Sequence, residues 1–362
     1  MMPAGHTTII AEAGVNHDGS LDTARALVDA AVAAGADVVK FQTFRADRIA
    51  TRGVAKAEYQ KRVAAADESQ HAMLQRLELG EDAHAALIEH CRQRGIEFLS
   101  TPFDLPSVDL LAKTHGLRRL KISSGDLTNG PLLLKAARTQ CALILSTGMA
   151  TLGEIEAALG VVAFGSSAPD DAAPNDAAFA EAYSSAAGQN ALRRRVTLLH
   201  CTSLYPAPLA AVNLRAMDTL GAAFGLPVGY SDHTLGVTVA IAAASRGATV
   251  IEKHFTLDRS RPGPDHQASL EPEDLKRVVA GIRDVEVALG DAQKAPTVDE
   301  HATRAVARKC LVACRPIRRG ERFTAANIEA KRAEGGITAM RYWEELARTA
   351  DRDYAADEPI NL

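Results

Sequence analysis

The sequence predicts a (β/α)₈ barrel followed by a small C-terminal module. Three observations carry that prediction. Eight short runs rich in Val, Ile and Leu recur between Thr8 and Glu252, nearly all followed by a stretch with helical periodicity. Each run ends in hydrogen-bonding or charged residues, as parallel barrels arrange around the C-terminal ends of their strands. Near Asp291 this alternation stops, and a pattern of short strands and tight turns replaces it.

In order, the runs are Thr8–Ala13, Asp37–Phe41, Ile96–Ser100, Arg119–Ile122, Ala142–Leu145, Val196–Cys201, Pro227–Tyr230 and Thr249–Glu252. They are short and mostly continuous, as expected of parallel strands covered on both faces. The helix Leu21–Ala34 follows the turn Asp18-Gly19-Ser20, with Ser20 as its cap. Arg45–Leu79 is a charged insertion with a helical piece of its own, and as a βα loop it belongs on the site face. Thr151 and Glu154 form a capping box ahead of the helix Leu152–Leu159. Phe164–Arg195, rich in Ala, Ser, Asp and Pro, is an αβ insertion on the opposite face and reads as a surface elaboration without catalytic role. An alanine-rich helix, roughly Val237 to Arg246, joins the last two strands. The barrel takes residues 1–290, residues 291–307 read as a polar linker, and residues 308–362 form the second module, with small helices at Ala325–Ile328 and Ala339–Leu346. So small a module buries little core by itself, so it needs a barrel surface to lean on.

Composition narrows the partners. The net charge of −4 lacks the basic excess that nucleic acid requires. No apolar run reaches membrane-spanning length, and the N-terminus lacks the form of a signal peptide. The five cysteines are scattered without CxxC spacing, which fits a reducing cytoplasm.

The strand ends carry the chemistry. Lys40 and Lys121, with Thr101, Ser124, Ser146 and Ser231, make a cationic, hydroxyl-rich half suited to an anion bearing several oxygens. Ser146-Thr147-Gly148 opens toward a helix N-terminus, whose free N–H groups favour phosphate. One such lysine beside a phosphate oxygen gains about 4 kcal/mol at an effective dielectric near 20, before desolvation. Alone, either lysine reads as a surface cation; two among four hydroxyls read as an anion site.

The other half holds Glu12, His233, His254 and Asp265. Matched placement of two imidazoles at adjacent strand ends points to one divalent metal. With only two protein ligands in view, Mn²⁺ or Mg²⁺ suits better than structural zinc. Glu252 shares a strand face with His254; it either orients that ring or pairs with Lys40 or Lys121, and spacing alone does not separate the two.

The motifs IIAEAGVNHDGS, ADVVKFQTF, FLSTPFD, KISSGDLTN, ILSTGMATLGEI, LLHCTSLYPAP, GYSDHT, EKHFTLD and PGPDH occur in that order. Together they closely resemble the N-acetylneuraminate (sialic acid) synthase family, which includes legionaminic and pseudaminic acid synthases, and the C-terminal module resembles its antifreeze-like (SAF) domain. The resemblance implies condensation of phosphoenolpyruvate with the open-chain aldehyde of an N-acylated hexosamine, phosphate leaving by C–O cleavage. It implies phosphoenolpyruvate at Lys40, Thr101, Lys121, Ser124, Ser146 and Ser231. It implies the sugar at Gln42, Tyr59, Asp126, Ser203, Tyr205 and Asp265, with Arg332 reaching its acyl group from the second subunit of a domain-swapped homodimer. Catalysis would rest on Glu12, His233 and His254, the histidines holding Mn²⁺, with Mg²⁺ or Co²⁺ as alternatives. The cap usually reads KRPGxGIS in the family and here reads KRAEGGIT. The first expectation for the acceptor is N-acetylmannosamine, giving N-acetylneuraminate. The alternative is 2,4-diacetamido-2,4,6-trideoxymannose, giving a legionaminic acid. A Schiff-base aldolase on Lys40 or Lys121, and a sugar-binding protein without catalysis, are the rivals of other kinds.

Overall fold

The computed structural model describes residues 6–49, 51 and 69–361. The chain divides into two compact units, Met1–Gly290 and Asp291–Leu362.

In the first unit, strands β1 (Thr8–Gly14), β2 (Val38–Thr43), β3 (Glu97–Pro102), β4 (Arg119–Ile122), β5 (Ala142–Ser146), β6 (Val196–Cys201), β7 (Val228–Asp232) and β8 (Val250–His254) form one sheet ordered β3-β2-β1-β8-β7-β6-β5-β4, with every ladder parallel. The run continues round to bring β3 against β4. Across that seam the Arg119 guanidinium grips both oxygens of Glu97, at 2.8 and 2.5 Å, between two strands that share no described ladder. The (β/α)₈ expectation holds, and most strands run one or two residues beyond the apolar runs. Ser146, Ser231 and His254 therefore sit on strand ends, where the pleat fixes their direction, rather than in loops.

Strand alternation builds the interior in layers. Ile10, Val38, Leu99, Ile144, Leu199 and Val250 form a buried plug inside the barrel. Two residues further along the same strands stand Glu12, Lys40, Thr101, Ser146, Cys201 and Glu252. The apolar plug is thus the floor of a polar layer. The outer faces of the strands pack on the helices through Ile9, Val39, Leu120, Leu145, Tyr230, Ile251 and their neighbours.

The helices have the expected caps. The Ser20 hydroxyl accepts from the Thr23 N–H, and Gly35, at φ 82°, ends the helix Leu21–Ala34 in the left-handed region. Leu152–Ser167 is longer than its periodicity implied and carries the Thr151/Glu154 capping box. The insertion that follows folds into helices Asp176–Ser184 and Ala186–Arg195, which pack on Leu152–Ser167, with Phe164 and Phe179 edge to face at 5.4 Å. None of its residues lines the cavity described below.

In the second unit, β9 (Lys309–Ala313) pairs antiparallel with β10 (Ile328–Arg332) over a core of Leu311, Ala313, Ile317, Phe323, Ile328, Ala350, Tyr354 and Ile360. The stretch 291–307, expected as a linker, contains the helix Val298–Ala307 with a Thr297/Glu300 capping box. No residue of that helix is buried, so it has no apolar stripe for periodicity to register. The expected helix Ala325–Ile328 is a turn instead. The Asn327 side chain takes the Thr324 N–H at 2.6 Å and donates to the Arg322 carbonyl at 3.0 Å, while Ile328 opens β10 opposite Ala313. The expected helix near Ala339 is present as a 3₁₀ turn, Ala339–Arg341, running into Tyr342–Glu345.

Gly229 lies level with the plug: a Cβ there would stand 2.4 Å from the Val250 carbonyl oxygen and 2.6 Å from Leu199 Cδ2. Gly229→Ala is expected to destabilise the barrel by about 1–3 kcal/mol in denaturant unfolding. An unchanged midpoint would show that the plug yields at this point.

Candidate active site

The site is built on the alternation just described. A cavity of about 420 Å³ at the C-terminal ends of the strands is lined by Glu12, Lys40, Gln42, Thr101, Lys121, Ser124, Ser146, Ser203, Tyr205, Ser231, His233, Glu252, His254 and Asp265. Most of the residues singled out in the sequence therefore converge. A larger hollow of about 650 Å³ adjoins it across Met149 and Ser203 and holds none of the lysines, carboxylates or paired imidazoles.

At the centre lie four charged groups, all nearly sealed from solvent. Lys40 Nζ is 2.7 Å from Glu12 Oε2 and 3.8 Å from Glu252 Oε1, and it donates to Thr101 Oγ1 at 3.2 Å. Lys121 Nζ is 3.6 Å from the same Glu252 oxygen. The Ser231 hydroxyl donates to Glu252 Oε1 at 3.2 Å. Neither lysine reaches the surface, so the reading as surface cations fails. The cationic half is also not purely cationic, because Glu12 and Glu252 stand among the ammoniums. Glu252 pairs with both lysines and makes no described hydrogen bond to His254, which settles the choice left open by spacing.

Electrostatics divides the carboxylates. Burial, with the Glu252 charge assisting and Lys40 opposing, raises Glu12 to about 7. Burial also works to raise Glu252, but Lys121 and Lys40 hold it below the usual carboxylate range. Asp265 is pushed up to about 6 by burial, against the pull of Lys40. For Lys40, desolvation is outweighed by the neighbouring carboxylates and the ammonium is stabilised; for Lys121, burial prevails and its pKa falls. Two carboxyl groups thus titrate near neutrality while a third stays ionised, a separation that suits acid–base work.

The β1–β2 register shifts between Glu12 and Gly14, just past the residue that faces the cavity. Gly14, at φ 54°, leaves room there: a Cβ would stand 3.3 Å from Glu12 Oε1 and 3.4 Å from both Asp265 Oδ2 and Gln42 Nε2. The Asp265 loop is pinned from behind by His266, whose Nδ1 lies 2.6 Å from Thr256 Oγ1 and whose Nε2 lies 3.2 Å from Asp18 Oδ1.

The two imidazoles face each other with ring centroids 5.5 Å apart, and the Tyr205 ring lies over His233 at 4.1 Å. His233 Nδ1–H donates to the Thr202 carbonyl at 2.7 Å, which leaves Nε2 as a lone-pair nitrogen. His254 is buried with no hydrogen bond at Nδ1. Burial lowers both pKa values, His254 well below the usual range. His233 Nε2 lies 3.4 Å from the Ser231 hydroxyl, whose proton goes to Glu252, so each neutral ring keeps a lone pair of the kind a divalent ion requires and the pair fits the group expected there. Among the described residues no cluster of three or more His, Cys, Asp or Glu side chains could hold a metal, so water and substrate oxygens would have to complete the shell.

Several expectations need correction. The N-terminus of Leu152–Ser167 is less open to phosphate than expected, because its capping box takes two N–H groups: Thr151 Oγ1 accepts from the Glu154 N–H, and Glu154 Oε2 accepts from the Thr151 N–H at 2.7 Å. The Gly148 N–H is also taken, by Ser124 Oγ at 3.0 Å. Asp126 does not line the cavity; its carboxylate accepts from the Ser123 hydroxyl at 2.6 Å and from Asn129 Nδ2 at 3.1 Å. Tyr59 lies outside the described residues. Arg332 is exposed at the end of β10 in the second unit.

Sequence reasoning missed other participants. Cys201 Sγ lies 3.1 Å from the Ser124 hydroxyl, and its place two residues after Leu199 of the plug was the signal. The apolar wall of Val15, Phe44, Met73 and Leu77 comes largely from the long βα2 insertion, where the helix Gln70–Leu77 spaces Met73 and Leu77 four apart. Met149 sits between the two hollows with φ 66°, a left-handed backbone that few side chains adopt and that no propensity would predict.

Comparison with known proteins agrees with this geometry. The NeuB family model matches residues 27–294, and the SAF domain model matches residues 308–361. The chain is 48% identical over 354 residues, 98% of each chain, to an N,N'-diacetyllegionaminic acid synthase of Campylobacter jejuni. It is 46% identical over 329 residues to a protein of the same name from Legionella pneumophila, covering 91% of this chain and 86% of that one. Among solved structures it resembles the N-acetylneuraminic acid (sialic acid) synthetase of Leptospira borgpetersenii in complex with citrate, with TM-score 0.65, 31% identity, and coverage of 84% of this chain and 94% of that one. Catalytic-cavity chemistry, strand order and these relatives converge: the chain belongs to the NeuB family and ends in a SAF domain.

Proposed function

We propose that the protein condenses phosphoenolpyruvate with 2,4-diacetamido-2,4,6-trideoxymannose, forming an N,N'-diacetyllegionaminic acid and inorganic phosphate. The observation that carries the reaction class is one cavity holding two buried lysines, two carboxyls that titrate near neutrality, and two neutral imidazoles. The choice of sugar rests on the two legionaminic acid synthases at 48% and 46% identity. They favour the 2,4-diacetamido acceptor over N-acetylmannosamine, which was the first expectation from sequence.

Lys40 and Lys121, with Thr101, Ser124, Ser146 and Ser231, hold the phosphate and carboxylate of phosphoenolpyruvate. That trianion enters a layer whose ammoniums are already paired, so it competes with Glu12 and Glu252 for them. Displacing Glu12 from Lys40 removes the ammonium that lowers its pKa and leaves near the reacting carbon a carboxyl that holds a proton more strongly. His233 and His254 would hold a divalent ion, Mn²⁺ foremost, which when bound polarises an aldehyde oxygen. Gln42, Ser203, Tyr205 and Asp265 position the acceptor. The enol carbon of phosphoenolpyruvate forms the new bond to the aldehyde carbon, and positive charge develops at C2. Water adds at C2, and Glu12 takes its proton, which balances the one the former aldehyde oxygen gains as it becomes a hydroxyl. The tetrahedral adduct then breaks its C2–O bond and releases phosphate. In sum, one aldehyde, one phosphoenolpyruvate and one water give one 2-keto acid and one phosphate. By the family resemblance, Arg332 reaches the acceptor's acyl group from the second copy of a domain-swapped homodimer.

Lys121, with its pKa lowered by burial, is the one feature that a Schiff-base aldolase would share. Borohydride with pyruvate should leave the protein unmodified, and a trapped adduct on Lys121 would reverse the assignment.

Phosphate release measured with both acceptors in parallel is expected to favour the diacetamido sugar in kcat/KM by at least about tenfold, the discrimination one apolar group can supply. Preference for N-acetylmannosamine would place the protein on the sialic acid branch. His233→Ala is expected to keep its fold by circular dichroism and lose Mn²⁺-dependent turnover; full activity of that variant would remove the imidazole pair from the reaction. Because Glu12 of the free protein is protonated below about 7 and its carboxylate is the active form, kcat/KM should fall as pH drops through that value. Glu12→Gln should be slow and lack that limb, whereas a limb surviving the substitution would belong to another group.

A further inference from the structure

Behind the two imidazoles, on the outer side of the sheet, lies a buried ion pair that the reaction does not touch. Asp232 and Lys253 are opposed across the β7–β8 ladder. Asp232 immediately precedes His233, and Lys253 immediately precedes His254. Strand alternation sends Ser231, His233, Glu252 and His254 into the cavity and turns Asp232 and Lys253 away from it. Both are about as buried as side chains can be, at 1% exposure each. Lys253 Nζ lies 2.8 Å from Asp232 Oδ2 and also donates to the Thr234 carbonyl at 2.5 Å. Asp232 Oδ1 accepts the Thr234 N–H at 2.9 Å.

These bonds close a ring about His233. They tie the residue before it and the residue after it to the strand that carries His254. A buried ion pair is weak evidence for stability, since apolar side chains of similar volume commonly serve as well. Its retention at this place calls for a geometric reason. The loop leaving β7 has an Asx turn of its own through Asp232 and Thr234, but that turn alone sets nothing relative to β8. Lys253 supplies the cross-strand tether.

We propose that Asp232, Lys253 and Thr234 form a positioning clamp that fixes the separation of His233 and His254, and thereby the affinity of the pair for a divalent cation. The inference rests on the ion-holding role assigned above. Lys253 is a positioning residue and touches no reacting atom.

The test titrates Mn²⁺ alone, without substrates, into the full-length apo protein by calorimetry. Lys253→Met removes the tether but leaves a buried carboxylate unpaired. The double variant Asp232→Asn/Lys253→Met keeps an acceptor for the Thr234 N–H and removes both charges, so its fold is the better protected. Both are expected to bind Mn²⁺ about 10–100-fold more weakly, the usual effect of losing a group that orients a ligand. Metal-free affinity for phosphoenolpyruvate, read at Lys40 and Lys121, should stay unchanged in the double variant, which a general loosening of the barrel would not allow. A folded double variant with wild-type Mn²⁺ affinity would overturn the clamp and leave the proposed reaction standing. Failure of the wild type to bind Mn²⁺ would overturn the ion-holding role and the clamp together. Unfolding of both variants would make the pair purely structural and overturn it as well.

Discussion

The interaction on which the site depends is the buried network Lys40–Glu12–Glu252–Lys121. Each member alone would face a desolvation cost of several kcal/mol at that depth. Together they are sustained because opposite charges stand 2.7 to 3.8 Å apart above a dry apolar floor. The network is nearly balanced in charge and yet incompletely bonded: Glu252 Oε2 has no hydrogen-bond partner.

The barrel supplies this layer by simple means. A plug of Ile, Val and Leu at one level of the strands dictates that residues two further on face the same interior. Gly229 shows how tightly that level is filled. The loops then add what strands cannot: an apolar wall from the βα2 insertion, the Asp265 loop anchored through His266 to Asp18, and the Tyr205 ring over His233. The αβ insertion contributes only to the helical layer, where Phe179 meets Phe164. Among the described residues no helix is long and apolar enough to cross a membrane.

The two imidazoles occupy a different electrical setting from the lysines although they share the cavity. Both rings are kept neutral by burial, one with its tautomer set by the Thr202 carbonyl. His254 ends β8, whereas His233 follows the last residue of β7, where Asp232 and the Thr234 backbone bond to Lys253 of β8. The lysines, by contrast, reach the polar layer on long, flexible side chains.

Sequence by itself determined the strands, their order of use and most of the cavity's lining, because period-two alternation and β-branched runs are local properties of the chain. It identified Lys40, Lys121, Glu12, His233 and His254 for the same reason: each stands at a fixed step beyond an apolar residue. What it left open depended on distances through space. Whether Glu252 serves His254 or the lysines is decided by which atoms approach across strands far apart in sequence. Asp126 is drawn to a nearby serine and asparagine, and the helix N-terminus expected to favour phosphate gives its Thr151 N–H to that helix's own glutamate. The helix at Val298–Ala307 and the turn at Asn327 escaped because one lacks a buried face and the other is set by a side chain bonding to backbone. Strand pattern is written along the chain, whereas charge pairing and hydrogen-bond competition are settled only once the barrel brings distant residues together.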